Sequence, residues 1–486
     1  MSLRERALSG LLWSSIEKWG SKVFTFGVFL VLARLLEPTA FGLLAMAMVF
    51  IDLAQVFIDQ GFGRALVQRA ELDEEHKDTA FWTSLGISVV LTAGGALLAE
   101  PLARLFGHDE LAPILRALSL TFLLGGLRTV QVAMFWRELG FKLLSIRSLI
   151  SRAVAAVVGI SMAFSGYGVW ALVGQELTAQ AVDVVILWFA SSYRPRFRVT
   201  RRHFRDLFGF GVHVMGTDLL EFVNRRADDF LIGLFLGPKA LGYYVIAYRV
   251  LLVLTQLLAS VSANVSLSVF SQLQKEPERL WRAFRAAVRY SALVAFPAFF
   301  GVAAAAPEIV PTIFGSTWEP SIAPMRVLAP VGALHAVLYF VSTAILALGR
   351  PGLRLGLYAL GAVLNIGAFF VAARHGIFYV AVAYLVSSYL LAPLQLAMLR
   401  RLLPFSWRDL GAALATPFIG SAVMSAAVAF GVHPLLLGQP DYVRLTGAIL
   451  SGVLVYPAVV LTLDPSLRAD LRKIARKLAP KERVAS

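Results

Sequence analysis

LLEPTAFGLLAMA at residues 35–47 and FLGPKALGYYVIA at residues 235–247 are one short turn written twice. At an offset of 200 residues, Leu36/Leu236, Pro38/Pro238, Ala40/Ala240, Gly42/Gly242 and Ala47/Ala247 coincide. Proline presets φ for a tight turn, and glycine lets the next helix start close to its neighbour. A favoured turn can recur by chance, so the weight lies in its setting. Each copy sits between two long apolar runs, and the composition says what those runs are.

Hydrophobic residues fill 58% of the 486 positions and charged residues only 15%, with a mean hydropathy of +0.72. A soluble fold has too little interior to hide that much apolar surface. The runs reach 18 residues or more, the length a bilayer-spanning helix needs. The spans expected are 9–33, 41–63, 80–103, 112–136, 146–164, 168–190, 207–235, 241–269, 288–314, 322–348, 354–373, 376–399, 409–431 and 444–463. The expected fold is therefore an all-α integral membrane protein of about 14 transmembrane helices. Lys18 and Lys22 interrupt the first apolar stretch, which does not read as a cleavable signal.

Six expected spans separate the two turns, so both fall on one side of the membrane with the chain running the same way. That predicts two parallel-repeat six-helix bundles around a central cavity, plus two extra C-terminal helices. The corresponding boundaries are 1–192 for the first bundle, 193–206 for a basic linker and 207–403 for the second bundle. Two additional helices fill 404–463, and a basic amphipathic tail fills 464–486. In that tail Leu467, Leu471, Ile474 and Leu478 share one helical face, as in a helix lying on a leaflet.

Lys and Arg concentrate in alternate loops: Arg194, Arg196, Arg198, Arg201, Arg202 and Arg205 in one, and Arg468, Arg472, Lys473, Arg476 and Lys477 in the tail. This positive-inside asymmetry predicts a multi-pass protein of the bacterial cytoplasmic membrane with both termini cytoplasmic. The net charge of +15 is then a topology signal with attraction to anionic lipid at the inner face, and nucleic acid is not needed to explain it. Zero cysteines exclude disulfides and thiolate chemistry. The seven histidines show no ligand spacing along the chain, and no phosphate-binding loop is present. No catalytic residue, metal site or cofactor is expected.

Ionisable groups within a bilayer cost several kcal/mol unless paired or wetted, so they are functional candidates by default. GTDLLEFVNRRADDFLIG, from Gly216, is the densest such stretch. Asp218, Glu221, Arg225 and Asp229 follow spacings of three, four and four, one stripe of a helix. Read structurally, Glu221, Arg225 and Asp229 form a self-neutralising ladder. Read functionally, Arg225, Arg226, Arg249, Arg128 and Asn224 bind an anionic substrate, because a guanidinium grips phosphate through two parallel hydrogen bonds. Asp218, Glu221, Asp228, Asp229, Glu176 and Asp52 then support those groups or couple an ion.

The opening GLLWSSIEKWGSKVFTFGVFLVLARLLEPTAFGLLAMAMVFIDLAQVFIDQGFGRALVQR resembles the start of bacterial polysaccharide flippases, the Wzx-type exporters of the superfamily shared with multidrug and toxin extruders. NRRADDFLIGLFLGPKALGYYVIAYRV, from Asn224, is similar to the same family in its acidic residue, I-G, L-G, L-G-Y and A-Y order. The resemblance implies a V-shaped pair of bundles. It also implies movement of an undecaprenyl-diphosphate-linked oligosaccharide to the outer face for lipopolysaccharide O-antigen, capsule or exopolysaccharide synthesis. A polyprenyl-diphosphate-linked oligosaccharide is thus the expected partner, with H+ or Na+ as coupling ion and other polysaccharide-assembly membrane proteins beside it. Some members use cavity arginines in the first half, where this chain offers chiefly Arg128 and the lysines of the first expected span, Lys18 and Lys22. One rival is an ion-coupled multidrug extruder of the same fold, which the excess of intramembrane carboxylates favours. The other, a membrane glycosyltransferase or polymerase, needs a large outer catalytic loop, and the expected outer loops are short.

Overall fold

The computed structural model describes residues 20–59, 62–69 and 72–469, and within them the chain is helical with no strand. The first expected span and most of the expected tail helix lie wholly or partly outside the described residues.

The described part of α1 covers 20–35 and breaks at Leu36–Glu37. It is followed by α2 (Pro38–Asp59), α3 (Phe62–Gln68), α4 (Glu74–Phe106), α5 (Leu111–Arg137), α6 (Phe141–Phe164) and α7 (Val169–Ala190). After the linker come α8 (Arg201–Gln272), α9 (Pro277–Ile309), α10 (Ile322–Ala347), α11 (Pro351–Ala372) and α12 (Ile377–Arg400). The last are α13 (Trp407–Ala426), the short α14 (His433–Leu435) and α15 (Asp441–Leu463). Among the described residues, 12 helices are long and apolar enough to cross a membrane. One of these, Asp218–Gln256, is 39 residues long and contains a backbone break at Gly237, so it holds parts of two of the expected spans.

Gly237 adopts φ 78°, open to glycine at little cost, and Pro238 opens the next helical segment. The two turns read from the sequence are thus both breaks, at 36–37 and at 237. They also meet. A Cβ placed on Gly42 would lie 1.7 Å from the carbonyl oxygen of Pro238, and one on Gly242 would lie 1.9 Å from that of Pro38. Each turn lays its proline carbonyl against the other turn's glycine, a reciprocal contact of the kind a two-fold relation between repeats produces.

Two compact units are present: Met1–Ile246 with Leu355–Tyr384, and Ala247–Arg354 with Leu385–Ser486. In the first, α4 packs on α5, α6 on α7, and α5 and α7 on one another. In the second, α9 packs on α10, α13 and α15. Apolar residues turned outward, such as Leu450, Val453 and Leu454 on one side of α15, are what helices immersed in hydrocarbon present.

At the end of α15, Asp464 accepts hydrogen bonds from the Ser466 hydroxyl (2.7 Å) and the Leu467 amide (3.2 Å) and pairs with Arg289 of α9. Partial burial pushes its carboxyl up, but the Ser466 and Leu467 donors and the Arg289 guanidinium outweigh this and hold it below the ordinary aspartate value. A depressed folded value means stabilisation that is complete above the unfolded pKa and lost as pH falls through the folded one. Asp464→Ala should therefore lower stability by about 1 kcal/mol at pH 7, the usual worth of a cap. The difference in melting temperature from the wild type should narrow as the pH is taken from 6 towards 3; a difference that stays constant would remove the charge from the explanation.

Candidate functional site

Two groups of charged side chains sit within the spans of the first unit, and they differ in balance. The first joins α2 to α8. Arg226 donates through Nε (2.9 Å) and Nη2 (2.7 Å) to one oxygen of Asp52, and through Nη1 to Asp229 (2.7 Å). Asp228 is buried beside them, accepting from the Tyr244 hydroxyl at 2.9 Å and from the Asp229 amide at 3.0 Å. At 1.5 Å per residue, Arg226 is about 16 Å along the helix from the Gly237 break, near the depth of a bilayer midplane. Three carboxylates face one guanidinium. The group is acidic.

The ladder read from the spacing is not formed. Asp229 turns to Arg226 because both share the face of α8 that meets Asp52, while Arg225 and Glu221 are exposed. Among the described residues neither Arg225 nor Glu221 has an ion-pair partner. Asn224 accepts a hydrogen bond from the Asn365 amide of α11 at 3.2 Å. Asp218 is half-buried on the preceding turns, and Arg249, on the second unit's part of α8, is exposed.

The second group joins α5, α6 and α7. Asp183 receives the Ser151 hydroxyl at 2.6 Å, with Arg128 Nη1 and Arg147 Nε each at 3.4 Å. Arg152, one and a half turns beyond Arg147, donates to the Thr25 hydroxyl of α1 at 3.2 Å. Among the described residues no carboxylate pairs with Arg152. Counted from the helix ends on the basic-loop side, Arg147 and Asp183 lie about 9–11 Å in, Arg128 about 14 Å and Arg152 about 17 Å. Among the described residues this region of the bundle thus carries three guanidinium groups for one carboxylate, a cationic surplus at a depth where charge is costly. Glu176, further along α7, accepts from Gln180 at 3.0 Å.

Arg147 and Arg152 are the residues that sequence reasoning missed. Arg147 is the second residue of the expected span 146–164, beside the basic flank, where a cation does not stand out as intramembrane. The available signal was KLLSIRSLISRAV itself, where two arginines five apart continue into an apolar helix. Tyr244 and Asn365 were also missed, since a lone tyrosine or asparagine in a span carries no spacing signal.

The sequence model of a family described as "Polysaccharide biosynthesis protein" matches residues 31–323. The chain is 29% identical over 308 residues to the succinoglycan biosynthesis transport protein ExoT of Rhizobium meliloti (strain 1021). That match covers 63% of this chain and 62% of the relative, under two thirds of its length. It is 24% identical over 481 residues to the teichuronic acid biosynthesis protein TuaB of Bacillus subtilis (strain 168), covering 98% and 99% of the two chains. Among solved structures, the lipid II flippase MurJ in an inward closed conformation superposes with a TM-score of 0.76 at 15% identity, covering 94% of this chain and 99% of that one. At that identity the likeness is one of fold.

Proposed function

This chain belongs to the polysaccharide biosynthesis protein family, and we propose that it is a flippase moving a polyprenyl-diphosphate-linked oligosaccharide from the cytoplasmic to the outer face of the membrane. The observation that carries the reading is the cationic layer of Arg128 and Arg147 at Asp183 together with Arg152, which is held only by the Thr25 hydroxyl among the described residues. A diphosphate cannot cross hydrocarbon without groups that replace its water, whereas a polyprenyl tail stays in lipid. Guanidinium groups suit that task because their fork matches two phosphate oxygens. Arg152 is the residue best placed to give up its present partner, a neutral hydroxyl. Arg226, held by two carboxylates, acts instead as the counter-charge that keeps Asp52, Asp228 and Asp229 together, and Arg225 remains available to the substrate.

The acidic group suits a coupling ion, H+ or Na+, since Asp52, Asp228 and Asp229 gather around Arg226. Both termini lie in the cytoplasm on this reading, as the basic loops require. The names of the relatives support a polysaccharide pathway, and their differing products leave the sugar open. The acidic group also keeps the drug-extruder reading in play, and the same assay separates the two.

The test is Arg152→Ala, which leaves no carboxylate unpaired among the described residues and should insert normally. Losing one charge-assisted hydrogen bond of about 1.5–3 kcal/mol corresponds to roughly 10- to 150-fold in transport at low substrate. Cells carrying the variant in place of the wild type should accumulate the lipid-linked oligosaccharide on the cytoplasmic face, and Arg152→Lys should recover part of the export. Normal export in Arg152→Ala, or accumulation of an organic cation with no lipid-linked intermediate when the protein is absent, would overturn the flippase reading.

A further inference from the structure

The linker between α7 and α8 does not hang free of the first unit. Tyr193 donates its hydroxyl to Asp78 of α4 at 2.8 Å, and the Arg196 amide reaches the same oxygen at 3.0 Å. The Trp82 indole donates to the Arg196 carbonyl at 2.9 Å. Asp78 is buried, so it holds the extended linker against the first turns of α4. This strap carries α8's first residues to the start of α4, and there a group of side chains gathers that neither transport nor packing explains.

Asp73 caps α4, accepting the His76 amide at 2.8 Å, and its same oxygen lies 2.6 Å from His76 Nδ1. His203, from the first turn of α8, brings its ring to 4.0 Å from that of His76, centroid to centroid. Its Nε2 lies 3.7 Å from the other oxygen of Asp73. The His76 and His203 side chains are only 7% and 11% exposed, whereas Asp73 is exposed. His76 Nε2 is fully buried and has no hydrogen-bond partner among the described residues. A buried imidazole nitrogen without a partner is costly. That orphan points away from Asp73, whose oxygen lies against Nδ1 on the other side of the ring, so Nδ1 is the atom that His76 turns towards the carboxylate.

We infer that Asp73, His76 and His203 form a binding site for one divalent transition-metal ion of the zinc class. The three side chains each offer one ligand atom, and those atoms lie within 4.8 Å of one another. Two imidazoles and a carboxylate are a donor set that suits zinc and its neighbours rather than calcium or magnesium. The surroundings also orient the ligands. The Thr200 hydroxyl sits 2.5 Å from His203 Nδ1, with Glu75 3.8 Å away, which leaves Nε2 turned towards Asp73. A ring nitrogen held by an outer partner while the other faces the metal is the usual arrangement at such sites. The exposed carboxylate provides the way in to the two imidazoles. A bound ion ties the first turn of α8 to the first turn of α4 across the linker that joins them. It sits on the side of the basic loops, away from both charged groups within the spans.

The experiment uses the full chain in detergent, any histidine tag removed, stripped with a chelator and titrated with Zn2+ against a chromophoric zinc indicator. One equivalent should bind, and Zn2+ should raise the melting temperature. His203→Ala, His76→Ala and the pair together should weaken binding by at least the roughly 10- to 100-fold that loss of an outer partner alone costs. Thr200→Val should weaken it less and retain the thermal shift. Because a variant at the head of α4 can fail to fold, the wild type also carries a test of its own. Diethylpyrocarbonate modification read by mass spectrometry should show Zn2+ protecting His76 and His203 and leaving His108 and His375 reactive. Absence of stoichiometric binding, binding unchanged in the double variant, or protection confined to other histidines would overturn the site and leave a helix cap with two packed imidazoles.

Discussion

Glu308→Gln is expected to remove about 3–5 kcal/mol of stability, the cost of taking one partner out of a buried ion pair. Glu308 is wholly buried at the end of α9. One of its oxygens accepts Arg444 Nη2 at 2.7 Å and the other lies 3.0 Å from His433 Nε2. Three chain segments, the ends of α9 and α13–α14 and the first turn of α15, are held at this carboxylate. Glutamine keeps the shape and loses the charge, so Arg444 is left with Asp441 at 3.5 Å, an exposed partner that cannot replace what was lost. Thermal unfolding of the purified protein, followed by the loss of monodisperse material, should show the deficit. Glu308→Gln with Arg444→Met should be closer to the wild type than Glu308→Gln alone, because no unpaired buried cation remains. A single variant as stable as the wild type, or a double variant worse than the sum of its parts, would show that the carboxylate is not what holds these segments.

Glu308 falls near the end of the expected span 288–314, where a charge does not stand out, and the reason is general to this fold. Hydropathy and loop charge are sums along the chain, so they expose spans and sidedness well. The turns at 36–37 and 237 were legible because proline and glycine state a backbone requirement locally. Side-chain partners are set by which helices pack together, and nothing local states that. Asp52 and Arg226 are 174 residues apart, and Glu308 and Arg444 are 136 apart. For the same reason the i, i+4 ladder through Glu221, Arg225 and Asp229 was a fair inference from one helix and failed when α2 supplied Asp52. His76 and His203, 127 residues apart by their numbers, are invisible to a spacing rule.

Gly42→Ala and Gly242→Ala are expected to be nearly as damaging as each other and to fail for one reason. At Gly42 the added methyl would meet the Pro238 carbonyl oxygen at 1.7 Å, its carbon at 2.5 Å and its Cα at 2.8 Å. At Gly242 it would meet the corresponding atoms of Pro38 at 1.9, 2.6 and 3.1 Å. These are backbone atoms of a turn fixed by proline, so no side-chain rotation relieves the clash and the two turns must separate. Overpacking of a rigid site costs about 1–3 kcal/mol and sometimes more, and separation also uncovers neighbours such as Leu36, Leu241 and Tyr244, which are buried around the contact. Each variant should therefore give much less folded protein on size exclusion, with a lower melting temperature in what remains. Gly356→Ala and Gly367→Ala supply the comparison, because nothing lies within 4 Å of a Cβ at either position. They should match or slightly exceed the wild type, since alanine favours helix over glycine by about 1 kcal/mol. The reciprocity adds a sharper requirement. Once either alanine has forced the turns apart, the second has less left to disturb, so the double variant should cost less than the sum of the two singles. Strict additivity would mean that the two glycines serve separate contacts, and the shared turn at residues 35–47 and 235–247 would then be a local habit of the chain rather than the seam of a repeat.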